Sequence, residues 1–361
     1  FGEACRRLAH HGVESWVCPG TSAWLSITGR TTERRGNIAQ AAADPDKVYH
    51  TYFPAAEDGF DPVEFASLYS SIVSEAIFER LLTYDYLARP AKVVPMVAES
   101  LPEVSGDGRT YIFKLKKGIF FTPDPAFNGK PRELVAGDFV YSFKRFMDPK
   151  LHSPWQFLLE GKITGLDELA TEAQKSGRFD YDKNIDGLTA VDNYTLRIRL
   201  KAPDYNFNYI MAHASFGALA REVVEAYNKD IIAHPVGTGA YLLKEWKRRN
   251  RIVLEANPGY RGFIWNFKSS GDPADEQLIR EMQGKTMPQI GRIEISIIEE
   301  PQSIWLAFRG KQIDTVNVPQ QFIREVLDKD QLAEQFRNEG IHLFRAIDPE
   351  ITYTFFNFKD P

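Results

Sequence analysis

From Asp44 onward, short runs of period two alternate with longer runs of period 3.6, each cut off by Pro or Gly. That alternation restricts the chain to an α/β or mixed α+β architecture, because each segment can bury only one face and needs the other kind as its neighbour. Val48–Phe53 reads as a strand, and Ser70–Leu82 as a helix with Ile72, Val73, Ala76, Ile77 and Leu81 on one face. Gly106-Asp107-Gly108 turns the chain into a strand at Thr110–Leu115, a hairpin signal. A helix is expected from Asp138 to Arg145, its first residue an acid suited to the N-terminal dipole. Leu188–Leu200 holds a strand pair turning at Asp192-Asn193. Ile252–Leu254, Ile293–Ile298 and Thr352–Phe358 read as further strands, with helices near Ala274–Gln283 and Gln320–Leu327. No internal repeat or low-complexity tract interrupts the pattern.

Length and charge narrow the function. A chain of 361 residues is expected to divide into two or three domains. Net charge is −5, and no cluster of Lys and Arg forms the footprint that nucleic acid requires. Aromatic residues reach 13%, which suits either large cores or a cleft that stacks on its ligand. No run approaches the roughly 20 apolar residues of a membrane span. Phe1 opens an amphipathic, Arg-containing stretch in which no signal peptide is visible. Cys5 and Cys18 are the only thiols; one bridge between them is conceivable, and two free thiols are the favoured reading. The seven His residues form no metal-ligand spacing apart from adjacent His10-His11, so no metal site is expected. Nucleophile-elbow, phosphate-loop and dinucleotide motifs are missing too, and neither catalysis nor a cofactor is expected.

Residues 1–43 have a different texture. Phe1–His11 reads as a helix stopped by Gly12, Val13–Val17 as a strand, Cys18-Pro19-Gly20 as a turn and Asn37–Ala43 as the start of another helix. Within it WVCPGTSAWLSITGR (Trp16 to Arg30) resembles the end of a barrel strand and its loop in hexosaminidase-type glycoside hydrolases. Glu3, Glu14 and Glu33 do not form the acid/base pair such chemistry needs, leaving a hydrolase fragment as an alternative reading only. This helix-strand-helix segment lacks the neighbours a barrel would supply and is expected to stay outside the main core.

Four ordered segments carry a stronger resemblance. They are FDPVEFASLYSSIVSEAIFERLLTYD (Phe60 to Asp85), VVPMVAESLPEVSGDGRTYIFKLKKGIFF (Val93 to Phe121), LVAGDFVYSFKRFMDPKLHSPW (Leu134 to Trp155) and VGTGAYLLKEWKRRNRIVLEANPGYRG (Val236 to Gly262). Together they resemble the family 5 solute-binding proteins of dipeptide, oligopeptide and nickel ABC importers, from about Asp44 to Pro361. Gly237 and Gly239 are expected to supply backbone angles closed to other residues. Three features depart from the family pattern: a longer loop after Phe121, Arg261 where Trp is expected after Tyr260, and an insertion at Phe263–Pro288. Family members are also much longer than this chain, which stops at Lys359–Pro361.

The resemblance implies a type II periplasmic-binding-protein fold. Residues 44–78 and 206–350 would form the main subdomain of lobe one and 79–205 an inserted smaller subdomain. Residues 351–361 would begin the crossing into a second lobe that is largely absent. It also implies capture of a di- or oligopeptide, or a related small solute, outside the cytoplasmic membrane, with delivery to an ABC permease by a monomer. Opines, sugars and metal chelates are the lesser candidates, and a non-binding interaction module is an alternative. The loop after Asp61-Pro62 would pair its backbone with an extended peptide through Ala66, Ser67, Leu68 and Tyr69. Trp155, in the Ser-Pro-aromatic turn, would lie against the ligand. Core or subdomain packing is the competing account of Tyr69 and Trp155, and a simple connecting loop that of Ala66–Leu68.

Overall fold

The computed structural model describes residues 23–27, 43–269, 271–345 and 356. Strand β1 (Ala23–Ile27) is followed by β2 (Asp44–Phe53), whose side chains pass from exposed at Asp44 to buried at Phe53. Helix α1 (Leu68–Ile77) is capped by Ser67, whose Oγ accepts from the Tyr69 N–H at 3.2 Å. The helix stops short of the expected Leu82. Phe78 turns extended, and Glu79 and Arg80 enter buried ion pairs that a continued helix could not reach. Two hairpin pieces follow, β3 (Leu82–Tyr84) with β4 (Val93–Pro95) and β5 (Glu103–Val104) with β6 (Thr110–Lys114). The second turns at Gly108, where φ is +70° and the N–H returns to the Ser105 carbonyl at 2.8 Å.

Helix α2 (Ala136–Arg145) begins where Asp138 folds back onto the Val135 N–H at 2.8 Å. After α3 (Leu166–Ser176), β7 (Leu188–Asp192) and β8 (Thr195–Arg199) complete an antiparallel sheet in the order β5-β6-β8-β7, with α2 packed across β7 and β8. The short helices α4 (Phe207–Ile210) and α5 (Arg221–Tyr227) lead to the antiparallel pair β9 (Tyr241–Lys247) and β10 (Arg251–Ala256). Next come β11 (Phe263–Ile264), α6 (Pro273–Met282), β12 (Thr286–Met287) and β13 (Ile290–Ile297). Strand β13 lies parallel to β2, pairing Ile293 with Tyr49, in a sheet ordered β2-β13-β10-β9. The two neighbours are thus joined by a crossover that contains every element between them. Helix α7 (Pro301–Arg309), β14 (Thr315–Asn317), α8 (Ile323–Val326), the hairpin β15 (Leu327–Asp328) and β16 (Gln331–Leu332), α9 (Glu334–Asn338) and β17 (Ile341–Arg345) close the described chain.

Among the described residues, buried apolar side chains form three clusters. One continuous cluster joins the β2 sheet to the β6 sheet, through residues such as Phe60, Phe113, Phe143, Phe216 and Ile295. A second cluster gathers Tyr52 of β2 with Ile304, Trp305, Phe308, Val316, Phe336 and Ile341, so the segment from α7 onward has a core of its own that reaches β2 through Tyr52. It meets β2 along one edge, where Tyr49 Oη lies 2.7 Å from Thr315 Oγ1 and the His50 N–H donates to Asp314 at 2.7 Å. The insertion makes a third cluster, Trp265, Leu278, Met282 and Met287 against Leu87.

Of residues 1–43 the structure describes 23–27 and 43. β1 is the middle strand of a sheet ordered β14-β1-β17, antiparallel to both neighbours, and it satisfies a backbone edge on each. Val13–Val17, the expected helix at Phe1–His11, the one at Asn37–Ala43 apart from Ala43, Cys5, Cys18 and the strand expected at Thr352–Phe358, apart from Phe356, lie outside the described residues.

Gly237 and Gly239 are present for a reason other than unusual angles, since neither has a positive φ. A Cβ on Gly237 would stand 2.0 Å from the Ile77 carbonyl oxygen, and one on Gly239 2.5 Å from that of Ala76. Close approach of this turn to the end of α1 therefore excludes any side chain. Gly237→Ala should lower stability by about 1–3 kcal/mol, whereas Gly106→Ala, with open space around it, should stay within about 0.5 kcal/mol. Urea midpoints of the two variants check this, and an unchanged Gly237→Ala would contradict it.

Candidate functional site

The loop between β2 and α1 is built around Asp61, whose side chain is completely buried. Its two oxygens accept from Arg145 at 2.9 and 2.7 Å, and Oδ1 also takes the Val63 N–H at 3.1 Å. The Asp61 carbonyl receives the Glu64 and Phe65 N–H groups, both at 3.1 Å, which makes a tight turn. Arg145 sits in the last turn of α2, where a cation suits the helix dipole. Burial pushes its pKa down, but the charge and hydrogen bonds of Asp61 outweigh this and the net shift is upward.

Three side chains then fix the remaining loop backbone. Asp58 Oδ2 accepts from the Ala66 and Ser67 N–H groups at 2.8 and 2.9 Å, while its own N–H donates to Ser70 Oγ at 2.9 Å. Ser153 Oγ donates to the Val63 carbonyl at 2.6 Å. Trp155 Nε1 donates to the Phe65 carbonyl at 2.7 Å. Trp155 is therefore brought next to Ala66, which is exposed; Ser67, Leu68 and Tyr69 are half-buried at the start of α1. The Tyr69 ring packs 4.8 Å from Phe53. Because the N–H groups of Ala66 and Ser67 are already engaged, strand-like pairing through those donors would require Asp58 to move.

An aromatic group surrounds Trp155. Phe65 meets it edge-on at 6.2 Å, His213 lies at 4.5 Å and Phe157 at 6.4 Å, with Phe157 61% exposed. His213 Nδ1 is 2.8 Å from Ser215 Oγ. Burial first, and then the charge of Arg80, push the His213 imidazole down to about 4. Asp58, Ser153, Phe157 and His213 escape sequence reasoning. Only Ser153, inside the Ser-Pro-aromatic turn, carries a local signal; the others are assembled by tertiary contacts. Among the described residues no group of three or more His, Cys, Asp or Glu side chains could hold a metal, and no helix is long and apolar enough to cross a membrane.

Residues 92–361 match the profile of the bacterial extracellular solute-binding proteins, family 5 Middle. The periplasmic oligopeptide-binding protein OppA of Escherichia coli (strain K12) is 32% identical over 209 residues, 57% of this chain and 34% of that protein. The dipeptide-binding protein DppE of Bacillus subtilis (strain 168) is 27% identical over 305 residues, 83% of this chain and 48% of that one. Among solved structures, the Escherichia coli murein tripeptide binding protein MppA superposes with a TM-score of 0.56 at 23% identity, covering 76% of this chain and 46% of its own. Haemophilus influenzae OppA in complex with RPPGFSPFR gives 0.56 at 24%, covering 75% and 46%. These superpositions establish the type II binding-protein fold. The chain spans about a third to a half of the length of these curated relatives.

His213 imposes a pH dependence. Its folded pKa lies below the ordinary value of 6.5, so the unfolded chain binds the extra proton first. Stability attributable to His213 is complete above about pH 6.5 and is lost at roughly 1.4 kcal/mol per pH unit as pH falls toward 4. Carboxylates titrate in the same range, so the measurement is the difference between the protein and His213→Gln. The wild-type curve should be the steeper between those limits, and parallel curves would contradict the burial of a neutral imidazole. Trp155→Phe, which removes the bond to the Phe65 carbonyl, should cost about 1 kcal/mol and raise amide exchange at Ala66.

Proposed function

The chain belongs to the bacterial extracellular solute-binding proteins of family 5, and from that premise we propose that it acts in solute capture for an ABC importer. The solute is a di- or oligopeptide, received outside the cytoplasmic membrane and passed to the permease, with no bond made or broken. The protein works as a monomer. The observation that carries this reading is the loop at Asp58–Tyr69, held from both sides with its Ala66 surface outward beside Trp155 and Phe157. A backbone fixed before the ligand arrives loses little further entropy on binding, and exposed aromatic faces suit the apolar side chains of a peptide. We assign Ala66, Ser67, Leu68, Tyr69 and Trp155 to one wall of the binding cleft, with Asp58 holding it in shape. Since the core divides before α7, we place the end of the first lobe near residue 300, where sequence reasoning had carried it to 350. Residues 301–345 then belong to the opposite side of the clamp.

One wall binds weakly. A complete receptor with micromolar affinity uses about 8 kcal/mol, and half of that leaves a Kd on the order of a millimolar. Calorimetry of the 361-residue chain against a mixed di- to pentapeptide pool should therefore give a Kd near a millimolar. Trp155→Ala should weaken it by a further tenfold or so. A dissociation constant below about ten micromolar would overturn the single-wall reading, and no binding at the highest peptide concentration would overturn peptide capture. Unchanged binding with a loss of stability would return Trp155 to a packing role.

A further inference from the structure

A cavity of about 430 Å³ opens at the other end of α1, roughly 15 Å along the helix from Ser67. Its walls come from the last turn of α1, the β3–β4 hairpin, residues 212–214 and 239–241, and the stretch from Tyr260 through the insertion at 263–288. The insertion supplies Phe263 and Trp265, and the hairpin supplies Tyr84 and Tyr86. Tyr86 and Trp265 meet edge-on at 6.2 Å, which sets a fixed aromatic wall, while Phe263 is 44% exposed at the surface.

The charges lining this cavity are unequally engaged. Glu79, 1% exposed, is closed off by a two-pronged pair with Arg261 at 2.5 and 2.6 Å and by Thr238 at 3.0 Å. Asp85 holds the Leu87 and Ala88 N–H groups at 2.9 and 3.0 Å. Lys116 donates to the Met96 carbonyl at 2.8 Å. Arg80 is different. It is 4% exposed, its Nη1 lies 2.9 Å from Glu75 and its Nη2 donates to Thr83 at 3.2 Å, but among the described residues neither its Nε nor its Nη1 has a hydrogen-bond partner of good geometry. A buried guanidinium N–H without a partner costs free energy; Nε is covered at the cavity wall, and a small turn of the Arg80 side chain that exposes it would let an entering acceptor recover that cost. Its charge is also felt across the site, lowering the pKa of His213 and opposing the rise in that of Tyr84.

We propose that this cavity is a second small-molecule site, separate from the peptide wall, that takes an aromatic carboxylate. The ring lies against Tyr84, Tyr86 and Trp265, and the carboxylate accepts from Arg80 Nε. The volume suits a ligand of that size and leaves room for water. This inference stands whether or not Ala66–Tyr69 binds peptide, because none of Ala66, Ser67, Leu68, Tyr69 and Trp155 lines the cavity; the two meet only through His213, which lines the cavity and packs 4.5 Å from Trp155.

Calorimetry of the 361-residue chain with indole-3-acetate and with tryptophol, the same ring carrying a hydroxyl in place of the carboxylate, tests the assignment. Indole-3-acetate should bind at least about tenfold more tightly than tryptophol. Arg80→Lys, which removes Nε but keeps a cation, should abolish that preference, and Phe263→Ala at the exposed rim should weaken both ligands without unfolding the protein. A saturating peptide pool should leave indole-3-acetate binding unchanged. No binding of indole-3-acetate, equal binding of the two probes by the unmodified chain, or displacement by the peptide pool would each overturn the proposal.

Discussion

The buried pair between Asp61 and Arg145 is the constraint on which the rest of the loop depends. The two residues are 84 positions apart, and their side chains are 0% and 2% exposed. Desolvating both charges is costly, and the cost is offset only because the contact is two-pronged and the remaining lone pair of Asp61 takes the Val63 N–H. Once Asp61 is fixed to α2, the turn from Val63 to Phe65 has one conformation, and its carbonyls face Ser153 and Trp155. Asp58 then completes the path to the cap at Ser67. The result is a surface loop with the backbone order of a regular element.

Local chemistry was readable in the sequence wherever a short stretch determines it. The periodicity of Val48–Phe53, Ile252–Leu254 and Ile293–Ile298 located β2, β10 and β13 to within a few residues, and Gly106-Asp107-Gly108 marked its hairpin. Asp138 marked the start of α2 through the same N-terminal preference that it satisfies at Val135. Pairings between distant segments were not readable. Nothing in Ala23–Ile27 announces that it will lie between β14 and β17, and nothing near Pro301 announces a new core. Glycines 237 and 239 were visible as important but for the wrong cause, because a close approach to Ile77 leaves no trace in local sequence.

The proximity of the candidate site residues was legible in the sequence. Trp155 and the stretch Ala66–Tyr69 do lie together, joined through the Phe65 carbonyl. What the residues could not reveal is that the Ala66 and Ser67 amides are already held by Asp58, which shifts attention from those donors to carbonyls and side-chain faces. The insertion at 263–288, a departure from the family pattern, likewise gains meaning only in three dimensions. There it walls a cavity with Tyr84 and Tyr86 and packs its own small core on Leu87.

The Asp61–Arg145 pair holds the loop as a unit. A double-mutant cycle with Asp61→Asn, Arg145→Met and the double variant, read by urea unfolding, tests it most directly. Each single variant leaves a buried group without its partner, so each should lose about 3–5 kcal/mol, and the double variant should lose much less than their sum. Losses that add to within about 0.5 kcal/mol would contradict the claim, because the loop would then be held by contacts other than this pair.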